Sequence, residues 1–200
     1  MPHTKGIFVN SINKIVIVCI LFAIMSGCTS IPVSPEDRPV NWAQPIVSKH
    51  LNNFYKVDDN LYRSAQPDID GILEAKSLGI KTIIDLQAAP HSDPMTTATQ
   101  SMYYEFIPQQ PWDMQDGNTI KFLQIVSEKE NGPFLVHCLH GSDRTGCAVA
   151  MYRIVEQNWT PAESITEMKY GNYGFHFIFL NIPNYINDVD VEKMKNSIKK

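Results

Sequence analysis

Residues 134–157 read FLVHCLHGSDRTGCAVAMYRIVEQ. The apolar run Phe134, Leu135 and Val136 predicts a short buried strand, residues 137–146 a tight loop, and 147–157 a helix. Strand, loop and helix in that order build an anion cradle. Backbone N–H groups converge in the loop, and the helix N-terminus adds partial positive charge. Cys138 stands near the start of this loop and Arg144 near its end, with five residues between them. A helix end and a neighbouring cation favour the thiolate, and such settings bring a cysteine pKa from about 8.5 to roughly 3.5–7.5. The planar fork of Arg144 can grip two phosphate oxygens at once, which a lysine cannot do. The stretch reads as a cysteine-nucleophile phosphatase loop.

A cysteine and an arginine at this spacing arise often by chance. Four additions narrow the reading: His137 before the cysteine, Gly141 inside the loop, Thr145-Gly146 after the arginine, and the apolar strand upstream. Together they resemble the signature of the protein tyrosine phosphatase superfamily, His-Cys-x-x-Gly-x-x-Arg-(Ser/Thr)-Gly. The resemblance implies that Cys138 attacks phosphorus and forms a phosphocysteine, which water then hydrolyses. Arg144 and the loop residues Leu139, His140, Gly141, Ser142 and Asp143 would hold the phosphoryl oxygens. Thr145 can donate its hydroxyl hydrogen to the cysteine sulfur, and His137 serves to organise the loop. Asp143 sits inside the loop, where its charge opposes phosphate, so a role in orienting Arg144 or a nearby backbone group fits it better. No metal or cofactor is implied.

The superfamily also takes an acid, later a base, from an aspartate on a separate upstream loop. Residues 108–118, PQQPWDMQDGN, are loop chemistry throughout and carry Asp113 and Asp116. Asp116 lies just before the next helix, as the acid does in the atypical dual-specificity group, and takes the assignment. Asp113 is the alternative, since an aspartate before Gly117-Asn118 can also simply cap that helix.

Outward from the loop, the chain has 200 residues, an apolar fraction of 44% and a formal net charge of −4. That suits one domain with an appendage, and mild acidity leaves no electrostatic footprint for nucleic acid. Four cysteines do not make a disulfide framework here, because Cys19 and Cys28 belong to the N-terminal run. Cys147, one turn into the helix, reads as a buried thiol, with a disulfide to Cys138 under oxidation as the alternative.

Asn60-Leu61-Tyr62-Arg63-Ser64 predicts a strand ending before Pro67. Ile69, Ile72, Leu73, Ala75 and Leu78 follow a helical period that stops at Gly79. KTIIDL at 81–86 and MYYEFI at 102–107 predict further strands, with a loop and one helical turn between them over 88–101. A helix through Ile120, Leu123, Ile125 and Val126 then leads into the strand at 134. Helix and strand alternate, so the fold expected is α/β, a mostly parallel central sheet between helical layers. "LYRSAQP" followed by "LGIKTIIDL" is similar to the opening of the atypical dual-specificity phosphatases, with Leu86-Gln87 where those usually have Leu-Arg. The ion pair of that arginine is therefore absent. After the catalytic helix, Thr160-Pro161-Ala162-Glu163 forms a capping box. "GNYGFH" at 171–176 resembles a recurrent segment of the bacterial relatives, its aromatics packing under the catalytic helix, and one C-terminal helix follows.

Lys5 and Lys14 precede an apolar core over residues 15–25, too short for the roughly 20 residues a membrane helix needs. Ser26-Gly27-Cys28 ends it. The segment 1–27 resembles a bacterial lipoprotein signal, which implies lipidation at Cys28 and a membrane-anchored domain in the cell envelope, with Thr29 favouring the outer membrane. An uncleaved anchor is the alternative. Residues 28–50, with Pro32, Pro35, Pro39 and Pro45, read as an extended tether, and 51–200 as the phosphatase domain. The partners expected are a phosphorylated protein or small phosphomonoester, and a membrane reached through the lipid. Loop charge suggests a substrate. Positions 139, 140, 142 and 143 carry no lysine, which suits a monoester such as phosphotyrosine better than a polyanionic inositol phosphate.

Overall fold

The structure is a computed structural model that describes residues 37–90 and 101–199. The signal-like segment 1–27, Cys28, the first part of the tether and most of the 88–101 loop lie outside the described residues. Among the described residues, no helix is long and apolar enough to cross a membrane.

Six strands form one sheet: β1 (Gln44–Pro45), β2 (Tyr55–Lys56), β3 (Leu61–Ser64), β4 (Thr82–Asp85), β5 (Tyr103–Phe106) and β6 (Phe134–His137). Their spatial order is β1-β2-β3-β6-β4-β5. The pairs β3–β6, β6–β4 and β4–β5 are parallel, while β1–β2 and β2–β3 are antiparallel. Thus β6, which feeds the cysteine loop, is a central strand, with Ser64 of β3 and Asp85 of β4 both in register with His137.

The helices are α1 (Ile69–Ser77), α2 (Asp116–Ser127), α3 (Asp143–Gln157), α4 (Pro161–Tyr170), α5 (Asn181–Asp188) and α6 (Val191–Ile198). Successive strand residues face opposite sides, and the core divides accordingly. Ile83 and Leu135 pack with Ile72 and Ala75 of α1 and with Phe54. Ile84, Phe134 and Val136 pack with α3 and its neighbours on the other face. The expected three-layer α/β architecture is present. Residues 145–155 of α3 are buried on every side, which explains a helix with so little polar face.

Local signals hold where they were read. The helical period read from Ile69 onward is α1, and it carries a cap that was not read from the sequence, the Asp68 side chain accepting from the Gly71 N–H at 2.8 Å. Thr160 and Glu163 form the reciprocal capping box of α4. Two boundaries differ. The C-terminal helix is broken in two, because Val189 is extended and Asp190 starts a new helix by accepting from the Lys193 N–H. The tether is also shorter than 28–50. Ala43 is buried, its N–H donates to Glu167 Oε1 at 2.6 Å, and Gln44 and Pro45 pair with β2. Arg38 donates to the carbonyls of Ala43 and Gly171 and lies over the rings of Trp42, Tyr55 and Tyr173. Proline is compatible with an edge strand, which needs fewer N–H donors, so Pro39 and Pro45 did not mark the domain boundary.

Candidate active site

The loop at 137–146 is held from outside by its carbonyls. The Gln66 N–H donates to Leu139 O at 3.2 Å, Asn53 Nδ2 to His140 O at 2.9 Å, and Arg63 Nη2 to Gly141 O at 2.6 Å. In a planar trans peptide the N–H points opposite to the C=O. Three successive carbonyls turned outward therefore turn the N–H groups of His140, Gly141 and Ser142 inward. Gly141 makes this possible. Its φ is +72°, and a Cβ there would come within 2.4 Å of the Ser64 carbonyl oxygen. Cys138 is buried at the base of this cradle, after β6 and before the N-terminus of α3.

Behind the loop, His137 is fully buried, with Nδ1 3.3 Å from the Cys138 carbonyl and 3.9 Å from Asp85 Oδ1. Asp85 also accepts from the Tyr104 hydroxyl and the Gln87 N–H, each at 2.8 Å. These contacts are those of a loop organiser. The Thr145 hydroxyl is buried with no hydrogen-bond partner among the described residues, so the expected bond to the sulfur is not formed here. Arg144 makes only long contacts, Nη1 to the carbonyls of Leu86 at 3.5 Å and Gln109 at 3.4 Å. Its fork is thus lightly held and can turn to an anion.

Asp143 does not orient Arg144. Its carboxylate accepts the His176 N–H at 2.9 Å and contacts His176 Nδ1 at 2.8 Å, tying the loop to residues 171–176. The Ser142 hydroxyl adds a bond to the Tyr173 carbonyl at 2.7 Å. Tyr173 and Phe175 are buried, in keeping with the packing role expected of this segment. The His176 ring lies 5.6 Å from that of His140 on the exposed rim.

The two acid candidates are in different places. Asp116 is the first residue of α2, and the position before it, Gln115, makes no side-chain cap. Its carboxylate takes Lys193 Nζ at 2.7 Å and the Tyr185 hydroxyl at 3.3 Å, so it is committed to α5 and α6. Asp113 is exposed on the loop that begins with Gln109, the residue beside Arg144. The Pro111 carbonyl of that loop accepts from Asn181, which joins it to the segment after His176. The loop thus borders the cradle. Among the described residues, no cluster of His, Cys, Asp and Glu is arranged to hold a metal.

The tyrosine phosphatase family profile matches residues 50–200. The chain belongs to the tyrosine phosphatase family. Dual specificity protein phosphatase TpbA of Pseudomonas aeruginosa is 28% identical over 159 residues, spanning 79% of this chain and 71% of TpbA. The TpbA crystal structure matches with a TM-score of 0.71 at 27% identity, covering 82% of this chain and 99% of that one. A second TpbA structure, a cysteine-to-serine variant in complex with pTyr, matches with a TM-score of 0.70 at 27% identity over 80% and 98%. Inositol diphosphatase DSP5 of Arabidopsis thaliana is 27% identical over 153 residues, 73% of this chain and 74% of that one. This phosphatase is accordingly of the atypical dual-specificity kind.

In this phosphatase, sequence reading missed the outer supports of the loop, Asn53, Arg63 and Gln66. Only the family-like stretch LYRSAQP, which contains two of the three, could have pointed to them. Cys147 is free and buried, and burial pushes its thiol up to about 12. It stays protonated at neutral pH, which argues against ready disulfide exchange with Cys138.

Proposed function

We propose that the chain hydrolyses protein phosphotyrosine, and phosphoserine or phosphothreonine less readily, through a phosphocysteine on Cys138. The observation that carries this is the ring of outward-held carbonyls at 139–141, which presents inward N–H groups beside a buried cysteine. In the first step the Cys138 sulfur bonds to phosphorus and the P–O bond to the leaving phenol breaks. Arg144 and the loop N–H groups take the charge on the equatorial oxygens. An acid gives the phenolate its proton. In the second step water attacks phosphorus, the same residue accepts a water proton, and the sulfur leaves as thiolate, accepting a hydrogen bond from Thr145.

For the acid we replace Asp116 by Asp113. An aspartate holding a lysine is poorly placed to donate, whereas Asp113, which accepts from the neutral Gln115 side chain, is exposed on the loop whose Gln109 carbonyl contacts Arg144. The substrate class rests on the rim. The loop has no lysine, its one carboxylate is occupied by His176, and Leu139 of the loop and Trp112 of the 108–118 loop are exposed apolar side chains available to an aromatic ring. A second reading, an inositol phosphate or diphosphate as in DSP5, is favoured by the adjacent His140 and His176 rings on the rim of the cradle. Parallel assays on a phosphotyrosine peptide and on inositol hexakisphosphate and its pyrophosphate separate the two. Preference for the inositol compounds at neutral pH would reject the protein-substrate reading, and release from neither would leave a phosphate-binding module.

The N-terminal segment supports a location. Residues 1–27 act as a lipoprotein signal and Cys28 carries the lipid, which anchors the enzyme in the bacterial envelope, at the periplasmic face of the outer membrane. Detergent-phase partitioning abolished by Cys28→Ser is the expected result. A wild-type protein in the aqueous phase would reject it.

A further inference from the structure

Arg63 is fully buried, yet none of the described carboxylates lies within ion-pairing distance of it. Its strand, β3, runs parallel to β6 with Arg63 in register with Val136, two residues before the nucleophile. The guanidinium lies 3.6 Å from the centroid of the Tyr173 ring and donates from Nη2 to the Gly141 carbonyl, while Nε has no hydrogen-bond partner. Asn53 and Gln66 support the neighbouring carbonyls with neutral groups, so holding the loop does not by itself require a cation. A buried and uncompensated charge is costly. Its retention calls for a negative partner.

The carboxylate that acts on Arg63 from beyond ion-pairing distance is already taken. Glu167 is gripped in two places by Arg153, and it also accepts from the Ala43 N–H and the Tyr173 hydroxyl. Tyr173 does not supply the charge, because burial holds its hydroxyl protonated. The buried thiol of the loop that Arg63 holds is Cys138, which lies three residues before Gly141 and two after Val136, the register partner of Arg63. Burial draws the pKa of Arg63 down, and opposing that are Tyr173, then Glu167, then Cys138.

We infer that Arg63 is a positioning residue for the reaction: its guanidinium holds the phosphate loop by Gly141 and is the buried counter-charge of the Cys138 thiolate. Arg144 faces the substrate from one side of the cradle, and Arg63 supports the ionised sulfur from behind. One device then links loop shape to nucleophile ionisation. If the Gly141 carbonyl moves away, the counter-charge loses its anchor. This inference rests on Cys138 being the nucleophile.

The test is the pH dependence of Cys138 alkylation by iodoacetamide in the full-length protein, with the modified residue identified by peptide mass. The other titratable and charged groups of the loop and of the elements around it stay constant in the comparison: His140, Asp143 and Arg144 of the loop, Asp85 and Tyr104 reached through His137, Asp113 before α2, and His176 and Tyr173 from the segment after α4. Arg63→Gln keeps a donor for Gly141 but removes the charge. It is expected to raise the alkylation midpoint by about 1 pH unit or more and to lower kcat/KM roughly tenfold at pH 6, with recovery as pH rises. Arg63→Lys is expected to hold the midpoint closer to wild type. A midpoint in Arg63→Gln within about 0.2 units of wild type overturns the inference, as does a shift that Arg63→Lys reproduces in full. If Arg63→Gln does not fold, Arg63→Met, which keeps an apolar stem against the Tyr173 ring and removes the charge, is read in the same way. An unchanged midpoint there overturns it too. Wild-type protein that is never alkylated at Cys138 would defeat the nucleophile assignment instead, so the two failures are distinguishable.

Discussion

Asp143 holds His176 at two points, accepting its backbone N–H at 2.9 Å with one carboxylate oxygen and contacting its ring Nδ1 at 2.8 Å with the other. A carboxylate inside a phosphate cradle would otherwise repel the substrate. Turned outward and paired, it fastens the loop to the segment that carries Tyr173. Hydrogen bonds to charged groups are worth about 1.5–3 kcal/mol. Asp143→Ala is therefore expected to lower kcat/KM on an aryl phosphate by about tenfold or more and to reduce the melting temperature. Steady-state kinetics beside thermal melts check this. An unchanged kcat/KM would mean that the loop keeps its shape without the tie.

The acid assignment separates cleanly by mutation. Asp113→Ala is expected to cut kcat by roughly 10²–10³-fold, with the loss largest for substrates whose leaving group is most basic. Asp116→Ala removes an ion pair between the start of α2 and Lys193 of α6, and its main effect should be a small loss of stability. Turnover on phosphotyrosine against a substrate with a more acidic phenol distinguishes the two. A large kcat loss at Asp116 alone would restore the first assignment.

Gly141 is the loop position least able to accept a side chain. At φ +72° and with a Cβ that would fall 2.4 Å from the Ser64 carbonyl oxygen, alanine forces the loop away from β3. Gly141→Ala should cost more than about 2 kcal/mol in urea unfolding and should abolish competitive inhibition by vanadate. Normal inhibition in a stable Gly141→Ala protein would show that the cradle does not depend on this close approach.

Cys147 carries the pH prediction. Burial raises its thiol from the ordinary 9.0 to about 12, so the folded protein keeps a proton that the unfolded chain releases. The stability this provides is complete below about pH 9 and is lost as pH rises towards 12. Wild type should thus lose urea resistance between pH 8 and about pH 10 more steeply than Cys147→Ala. Cys147 should also resist alkylation at pH 8 until denaturant is added. Rapid labelling of Cys147 in the native protein would contradict the burial argument.

The readable parts of this molecule were those whose signals are local. Cys138, Arg144 and Gly141 lie in one loop, and the strand–loop–helix order follows from periodicity. Thr160 announces the start of α4 through capping chemistry. What stayed hidden depends on pairings distant in sequence. Nothing near Arg63 says that β3 lies beside β6, so a strand arginine gave no hint that it supports the Gly141 carbonyl 78 positions away. The proposal of Asp113 over Asp116 rests on Lys193, and the tether boundary turned on Glu167 and Gly171 taking hold of Ala43 and Arg38. In each case the deciding partner comes from the C-terminal third of the chain.

The central claim is covalent catalysis at Cys138, and trapping the intermediate tests it most directly. Wild-type protein mixed with a phosphotyrosine peptide, quenched within its first turnovers and digested, should yield phosphate on the peptide containing Cys138. Cys138→Ser should bind the same phosphopeptide but release no phosphate. Phosphate release by Cys138→Ser at the wild-type rate would contradict the account, whatever the substrate proves to be.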